Sequence, residues 1–172
     1  MKKKIQLLTL LFLTCFFSPH LRSQTIDQQT LKEKYAEFDF WIGNWNVYKY
    51  GTDTLVGISK IERILNGTAI QETYESAKGK YKGTSLNKFN PKTGGWEQFW
   101  VDNGGLSLFI QGGIQDGKMV LENMEEGEDS KIYNRISWSQ MDDKTIRQEW
   151  EQSTDGVVWK KVFDGHYRSK SE

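Results

Sequence analysis

From Gly51 to Gly156 the chain is cut at near-even intervals by turn-forming residues, and no stretch between the cuts has room for a long helix. Asn66-Gly67 and Asp116-Gly117 tolerate the positive φ that two-residue hairpins require. Gly79, Asn90-Pro91 with Gly94-Gly95, Asn103-Gly104-Gly105, Met141-Asp142-Asp143 and Asp155-Gly156 mark the other joints. Between them lie strand-like runs at about 45–50, 54–65, 69–76, 81–89, 95–101, 106–112, 117–124, 131–139, 145–151 and 157–168. Proline interrupts none of them, since Pro91 sits in a turn and Pro19 precedes the first run. About ten short strands in this order predict an all-β, up-and-down antiparallel sheet. Such a sheet closes into a barrel because closure removes its exposed edges. Ser153-Thr154-Asp155-Gly156 with Trp159 approaches the hairpin of propeller blades, but it occurs once and reads as an ordinary hairpin.

The first strand follows an aromatic-rich stretch, Phe38-Asp39-Phe40-Trp41-Ile42-Gly43-Asn44-Trp45-Asn46-Val47-Tyr48. Trp45 and Val47 alternate with Asn44, Asn46 and Tyr48, the two-residue period of a half-buried strand. Gly43 lets the backbone bend as that strand begins. Before it, residues 25–37 are the one helical candidate. Asp27 suits an N-cap, Thr30 and Glu33 have capping-box spacing, and Leu31, Tyr35 and Phe38 share a face. A short helix there is placed to close one end of the barrel.

Met1-Lys2-Lys3-Lys4 leads into an apolar run from Ile5 to Phe17, followed by Ser18, Pro19 and Ser23. A basic start, a short apolar core and a small residue predict a secretory signal peptide over 1–23, cleaved near Ser23 or Gln24. The expected location is therefore secreted or periplasmic. The residues before Cys15 are too bulky for a lipidation signal. Lys2, Lys3, Lys4 and Arg22 leave with the leader, taking 23 basic residues to 19 against 23 acidic ones, a net charge of about −4. Mild acidity without a basic cluster argues against nucleic acid and against an anionic membrane surface. Cys15, the only cysteine, leaves too, so the mature chain has no disulfide and no thiol nucleophile. Residues 24–172 read as one domain held by its core alone.

Several stretches carry a family likeness: Phe38 to Trp45, Asn90-Pro91-Lys92-Thr93-Gly94-Gly95-Trp96-Glu97-Gln98-Phe99-Trp100-Val101-Asp102, Arg147-Gln148, and Phe163-Asp164-Gly165-His166-Tyr167-Arg168. Together they resemble an uncharacterised secreted bacterial family placed in the calycin superfamily, with lipocalins, fatty-acid-binding proteins and nitrobindins. The likeness implies a barrel whose first strand opens on Gly-x-Trp, here Gly43 to Trp45. In lipocalin-like barrels that tryptophan packs against an arginine of the last strand, which maps the pair onto Trp45 and Arg168. It also implies an alternative, because nitrobindins bind haem through a histidine near the C-terminus and His166 lies in that region. The chain has Gly-x-Trp without the fuller nitrobindin pattern after it, so no cofactor is expected.

Parts for catalysis are few. His166 is the only histidine beyond the leader, and no serine sits in a strained glycine elbow. One histidine and no cysteine fall short of a zinc site, and Glu125 to Asp129 match no ordered calcium loop. Small-molecule binding is better supplied. Trp96, Gln98, Trp100 and Asp102 share one face of their strand, and Gln148, Trp150 and Gln152 share a face of another. Rows mixing tryptophan with amides suit a largely apolar pocket with a few orienting polar groups. The expected lining is Gln98, Trp100, Gln148 and Trp150, with Glu72, Tyr74 and Arg135 as further candidates. The rival readings are a hydrolase or isomerase using Asp102, Glu72 or His166, and a barrel simply filled by its aromatics.

Overall fold

The computed structural model describes residues 26–127 and 130–170, so the leader, Cys15 and the Ser23/Gln24 junction lie outside the described residues. The strands are β1 (Gly43–Lys49), β2 (Leu55–Ile64), β3 (Ala69–Ser76), β4 (Lys82–Asn90), β5 (Gly95–Asp102), β6 (Ser107–Gln115), β7 (Lys118–Glu126), β8 (Lys131–Gln140), β9 (Ile146–Ser153) and β10 (Lys160–Ser169). Each pairs antiparallel with its neighbour in sequence, and β1 pairs with β10, closing the barrel.

Most joints follow the turn chemistry. Asp116 and Gly117 take φ of 49° and 77° between β6 and β7, the two-residue hairpin their side chains favour. Asn66-Gly67 does not form such a hairpin. Leu65, Asn66 and Gly67 all take positive φ in a short 3₁₀ turn between β2 and β3. The final strand starts at Lys160 rather than 157, because the Asp155 carboxylate accepts the backbone N–H groups of Val157 and Val158, each at 2.8 Å. Glu125 and Glu126, beyond the run expected at 117–124, extend β7 opposite Ile132 and Lys131.

One end of the barrel is plugged by the N-terminal segment. Helix α1 spans Gln28–Ala36, capped by Asp27, which accepts from the backbone N–H of Gln29 and Thr30. The capping box expected at Thr30 and Glu33 is absent, because Asp27 takes that role and Glu33 instead accepts from the Gln29 side chain. Leu31 and Tyr35 face the core, and a 3₁₀ turn at Asp39–Trp41 drives Phe38 and Trp41 into the barrel. The Phe38 ring stacks on Trp41 at 4.9 Å and meets Trp96 and Trp138 edge-on at 5.6 and 5.2 Å. Arg63, near the end of β2, ties this plug down through the Tyr35 carbonyl and the Asp39 carboxylate, and is itself braced by the Gly67 carbonyl of the following turn.

The expected stack of Trp45 on Arg168 does not form. Trp45 points into the barrel, where its indole folds back over Gly43 and donates to the Trp41 carbonyl at 2.9 Å. A Cβ on Gly43 would sit 3.0 Å from that ring, which is what the Gly-x-Trp spacing serves. Arg168 follows inward-facing Tyr167 and so points outward, where its guanidinium lies 4.5 Å over the Tyr48 ring and pairs with Asp53.

Candidate ligand-binding site

The half of the barrel opposite the plug encloses a cavity of about 220 Å³. Its mouth lies among the loops that follow β3, β5 and β9, where Tyr81 and Val162 reach solvent. Six of the seven expected lining residues come together there: Glu72, Tyr74, Gln98, Trp100, Gln148 and Trp150. They arrive on it because Glu72 and Tyr74, Gln98 and Trp100, and Gln148 and Trp150 each share one face of β3, β5 and β9.

Arg135 is elsewhere. Asn134 and Ile136 are its inward-facing neighbours, so strand alternation turns Arg135 outward. There its guanidinium lies 4.0 Å over the Trp159 ring and pairs with Glu151 at 2.9 Å. His166 is also outside. Its Nε2 lies 2.8 Å from the Thr145 hydroxyl, its Nδ1 accepts from Arg168, and its ring is 5.7 Å from Tyr50. Burial and the Arg168 charge hold it below the usual histidine range, with Asp143 opposing them. A haem seated in the barrel and ligated through His166 does not fit this arrangement, because the imidazole lies on the outer face with both nitrogens engaged.

The cavity floor is polar, with Ser59, Glu72, Ser85, Asn87 and Gln98 buried and Gln148 partly so. Glu72 accepts from the Ser59 hydroxyl at 2.8 Å and the Ser85 hydroxyl at 3.3 Å. Asn87 donates to Ser85 at 2.9 Å and accepts from Gln98 at 2.6 Å, and the Tyr167 hydroxyl donates to Gln148. Burial pushes the Glu72 carboxyl up to about 7 despite the lowering effect of its two serine donors. Tyr167 and Tyr74 are pushed up as well, by burial first and then by the nearby Glu72 charge.

The walls are aromatic and rest on glycine. A Cβ on Gly83 would lie 2.1 Å from the Trp100 ring, and one on Gly57 would lie 2.3 Å from the Tyr74 hydroxyl. A Cβ on Gly165 would come within 2.6 Å of the Phe163 ring. Gly57 and Gly83 let the rings of Tyr74 and Trp100 lie against a neighbouring strand, and Gly165 makes room for Phe163 of its own strand. Each tryptophan is also tethered. Trp100 donates to Asp102 at 3.0 Å, and Trp150 donates to Asn134 at 3.0 Å. Asp102 further accepts from Tyr81 and from the N–H groups of Gly104 and Leu106. Burial raises its pKa, but the hydrogen bonds from Trp100, Tyr81, Leu106 and Gly104 outweigh that and hold it below the usual carboxylate range.

Sequence reasoning missed Phe163 and Val162. Phe163 shares the inward parity of Gly165 and Tyr167, and a register shift between Lys161 and Phe163 bulges β10 and brings Val162 to the cavity beside it. The signal was Gly165, whose place inside a strand marks a close approach by a ring. Tyr81 and Leu106 lie in or beside loops, where no period assigns a face.

No family model matches this chain and no curated protein matches it. Among the described residues no helix is long and apolar enough to cross a membrane, and no group of histidine and carboxylate side chains is arranged to hold a metal ion.

Proposed function

We propose that this protein is a carrier that binds a small, partly apolar molecule non-covalently in the open half of its barrel. The observation that carries this reading is the cavity of about 220 Å³ with tethered aromatic walls and a hydrogen-bonded polar floor. Holding rings and amides in place before binding lowers the entropy lost when a ligand enters. The volume is below the roughly 300–1,000 Å³ common for drug-sized ligands, which favours a compact one. Membership of the calycin superfamily and export through the leader at 1–23 belong to the same reading and rest on the sequence stretches above. Native mass spectrometry of the protein isolated from its own host tests both parts. A retained ligand on a chain beginning near Gln24 is expected. A ligand-free chain that also fails to quench Trp100 or Trp150 fluorescence with any apolar probe argues for a merely structural barrel.

A second reading rests on Glu72 alone. Of the three acid–base candidates, Asp102 is engaged by four donors and His166 faces outward, whereas Glu72 lines the cavity and titrates near neutrality. A carboxyl so tuned can take a proton from a carbon acid or return one, as an isomerase requires. Turnover of an enolisable ketone with a rate inflecting near pH 7, lost in Glu72→Gln, is the outcome that favours this reading over the carrier.

A further inference from the structure

The chemistry of the cavity wall narrows the ligand class. Glu72 is the carboxyl on that wall, and among the described residues no lysine, arginine or histidine lines the cavity. Its oxygens accept from Ser59 and Ser85, neutral donors that leave any negative charge uncompensated. The N–H groups of Trp100 and Trp150 are taken up by Asp102 and Asn134, so both rings offer the cavity their apolar faces. Asp102 adds a second carboxylate behind Trp100 and Tyr81 at the mouth.

A buried carboxyl without a counter-cation, set among aromatic faces, is the surrounding that an organic ammonium completes. The ammonium pairs with the carboxylate and lies against the electron-rich ring faces. An anionic ligand meets the reverse, since it would be desolvated beside Glu72 with no cation to pair with. We infer that the cavity takes a compact organic cation, a primary amine on a ring-bearing chain, with its ammonium at Glu72 and its ring among Trp100, Trp150, Tyr74 and Phe163. This rests on the carrier reading above and gives its ligand a charge.

Entry of the cation draws Glu72 into its ionised form. Around Glu72 are Ser59 from β2 and Ser85 from β4, which donate to it, and Tyr74 from its own strand, Gln98 from β5, Gln148 from β9 and Tyr167 from β10, which line the cavity with it. Only the two phenols among these titrate, and both are held above their ordinary range, so Glu72 alone changes charge near neutrality.

Phenethylamine, phenethyl alcohol and 3-phenylpropionate share a ring and a short arm and differ in charge. Calorimetric titration at about pH 8 should give the amine at least roughly tenfold tighter binding than the alcohol, with the acid weakest. Lowering the pH should weaken the amine by roughly tenfold per unit below the Glu72 titration and leave the alcohol unchanged. Glu72→Gln should erase both the amine's advantage and its pH dependence while alcohol binding persists. Should that variant not fold, the pH series on the unmodified protein decides the matter. Equal binding of amine and alcohol, or preference for the acid, overturns the cation assignment and leaves the carrier reading standing. Binding of none of the three also overturns it, and the native-mass experiment then decides the carrier reading separately.

Discussion

Glu72 is the residue at which the cavity and the stability of the fold are in tension. Its carboxyl titrates near 7 in the folded chain against 4.5 for an ordinary glutamate, because burial penalises the charged form. A raised carboxyl pKa means the folded state holds the proton more tightly than the unfolded chain does. The stability linked to it is therefore full below about pH 4.5 and is lost as pH rises through 7, by about 3 kcal/mol in all. His166 works the other way, since its lowered pKa adds stability as pH rises through the same range. The depressed aspartates, among them Asp102 and Asp164, lose their contribution only below about pH 4, outside this window. Denaturation of the protein and of Glu72→Gln at about pH 5 and pH 8 isolates the glutamate. The variant should lose less stability between those two values, and an unchanged slope would mean Glu72 is ionised and solvated. Glu72 was readable as a candidate because it shares parity with Tyr74. Arg135 was misplaced although Ile136 and Trp138 alternate with Ser137 and Ser139 and put it on the outward parity of its strand.

At the scale of the element, β5 runs through both halves of the barrel and carries a tryptophan in each. Trp96 is fully buried against Phe38 and Phe89, and donates to Glu37 at 3.1 Å. Trp100, four residues on and on the same face, is half-buried over Gly83. The alternation in the sequence assigns that face correctly but cannot separate filler from pocket wall. Trp96→Ala should cost about 3–5 kcal/mol of stability by leaving a void in a closed core. Trp100→Ala should leave the barrel folded and weaken ligand binding by roughly 1–3 kcal/mol. Paired denaturation and titration curves on the two variants check this, and equal stability losses would mean that the cavity is closed in solution. Strand β10 teaches a different point. Its bulge at Val162 shifts the parity of every residue before it relative to Phe163, Gly165 and Tyr167. A period-two reading of 157–168 therefore reaches Phe163 and Tyr167 but not Val162.

Across the whole molecule, the barrel is asymmetric because its N-terminal segment enters at one end only. Phe38 touches Phe40, Trp41, Trp96 and Trp138 and is wholly buried, so the plug is part of the core rather than a cover laid over it. Phe38→Ala should therefore destabilise the entire barrel by about 3–5 kcal/mol in one cooperative transition. Separate melting of residues 28–41, seen by hydrogen exchange, would instead make the segment a detachable lid. The number of strands, their order and most of their joints were set by the sequence alone, because a two-residue period and turn chemistry act between near neighbours. The inward faces of β3, β5 and β9 were legible for the same reason. What only the tertiary structure decided is where along the barrel axis each inward residue falls, and hence that Trp96 fills while Trp100 lines. That depends on how far Phe38 and Trp41 reach down the interior, and on Gly57 and Gly83 meeting the Tyr74 and Trp100 rings of neighbouring strands. It also decided the outward contacts of Arg135, His166 and Arg168, which lie over Trp159, beside Thr145 and over Tyr48, since those partners come from other parts of the chain.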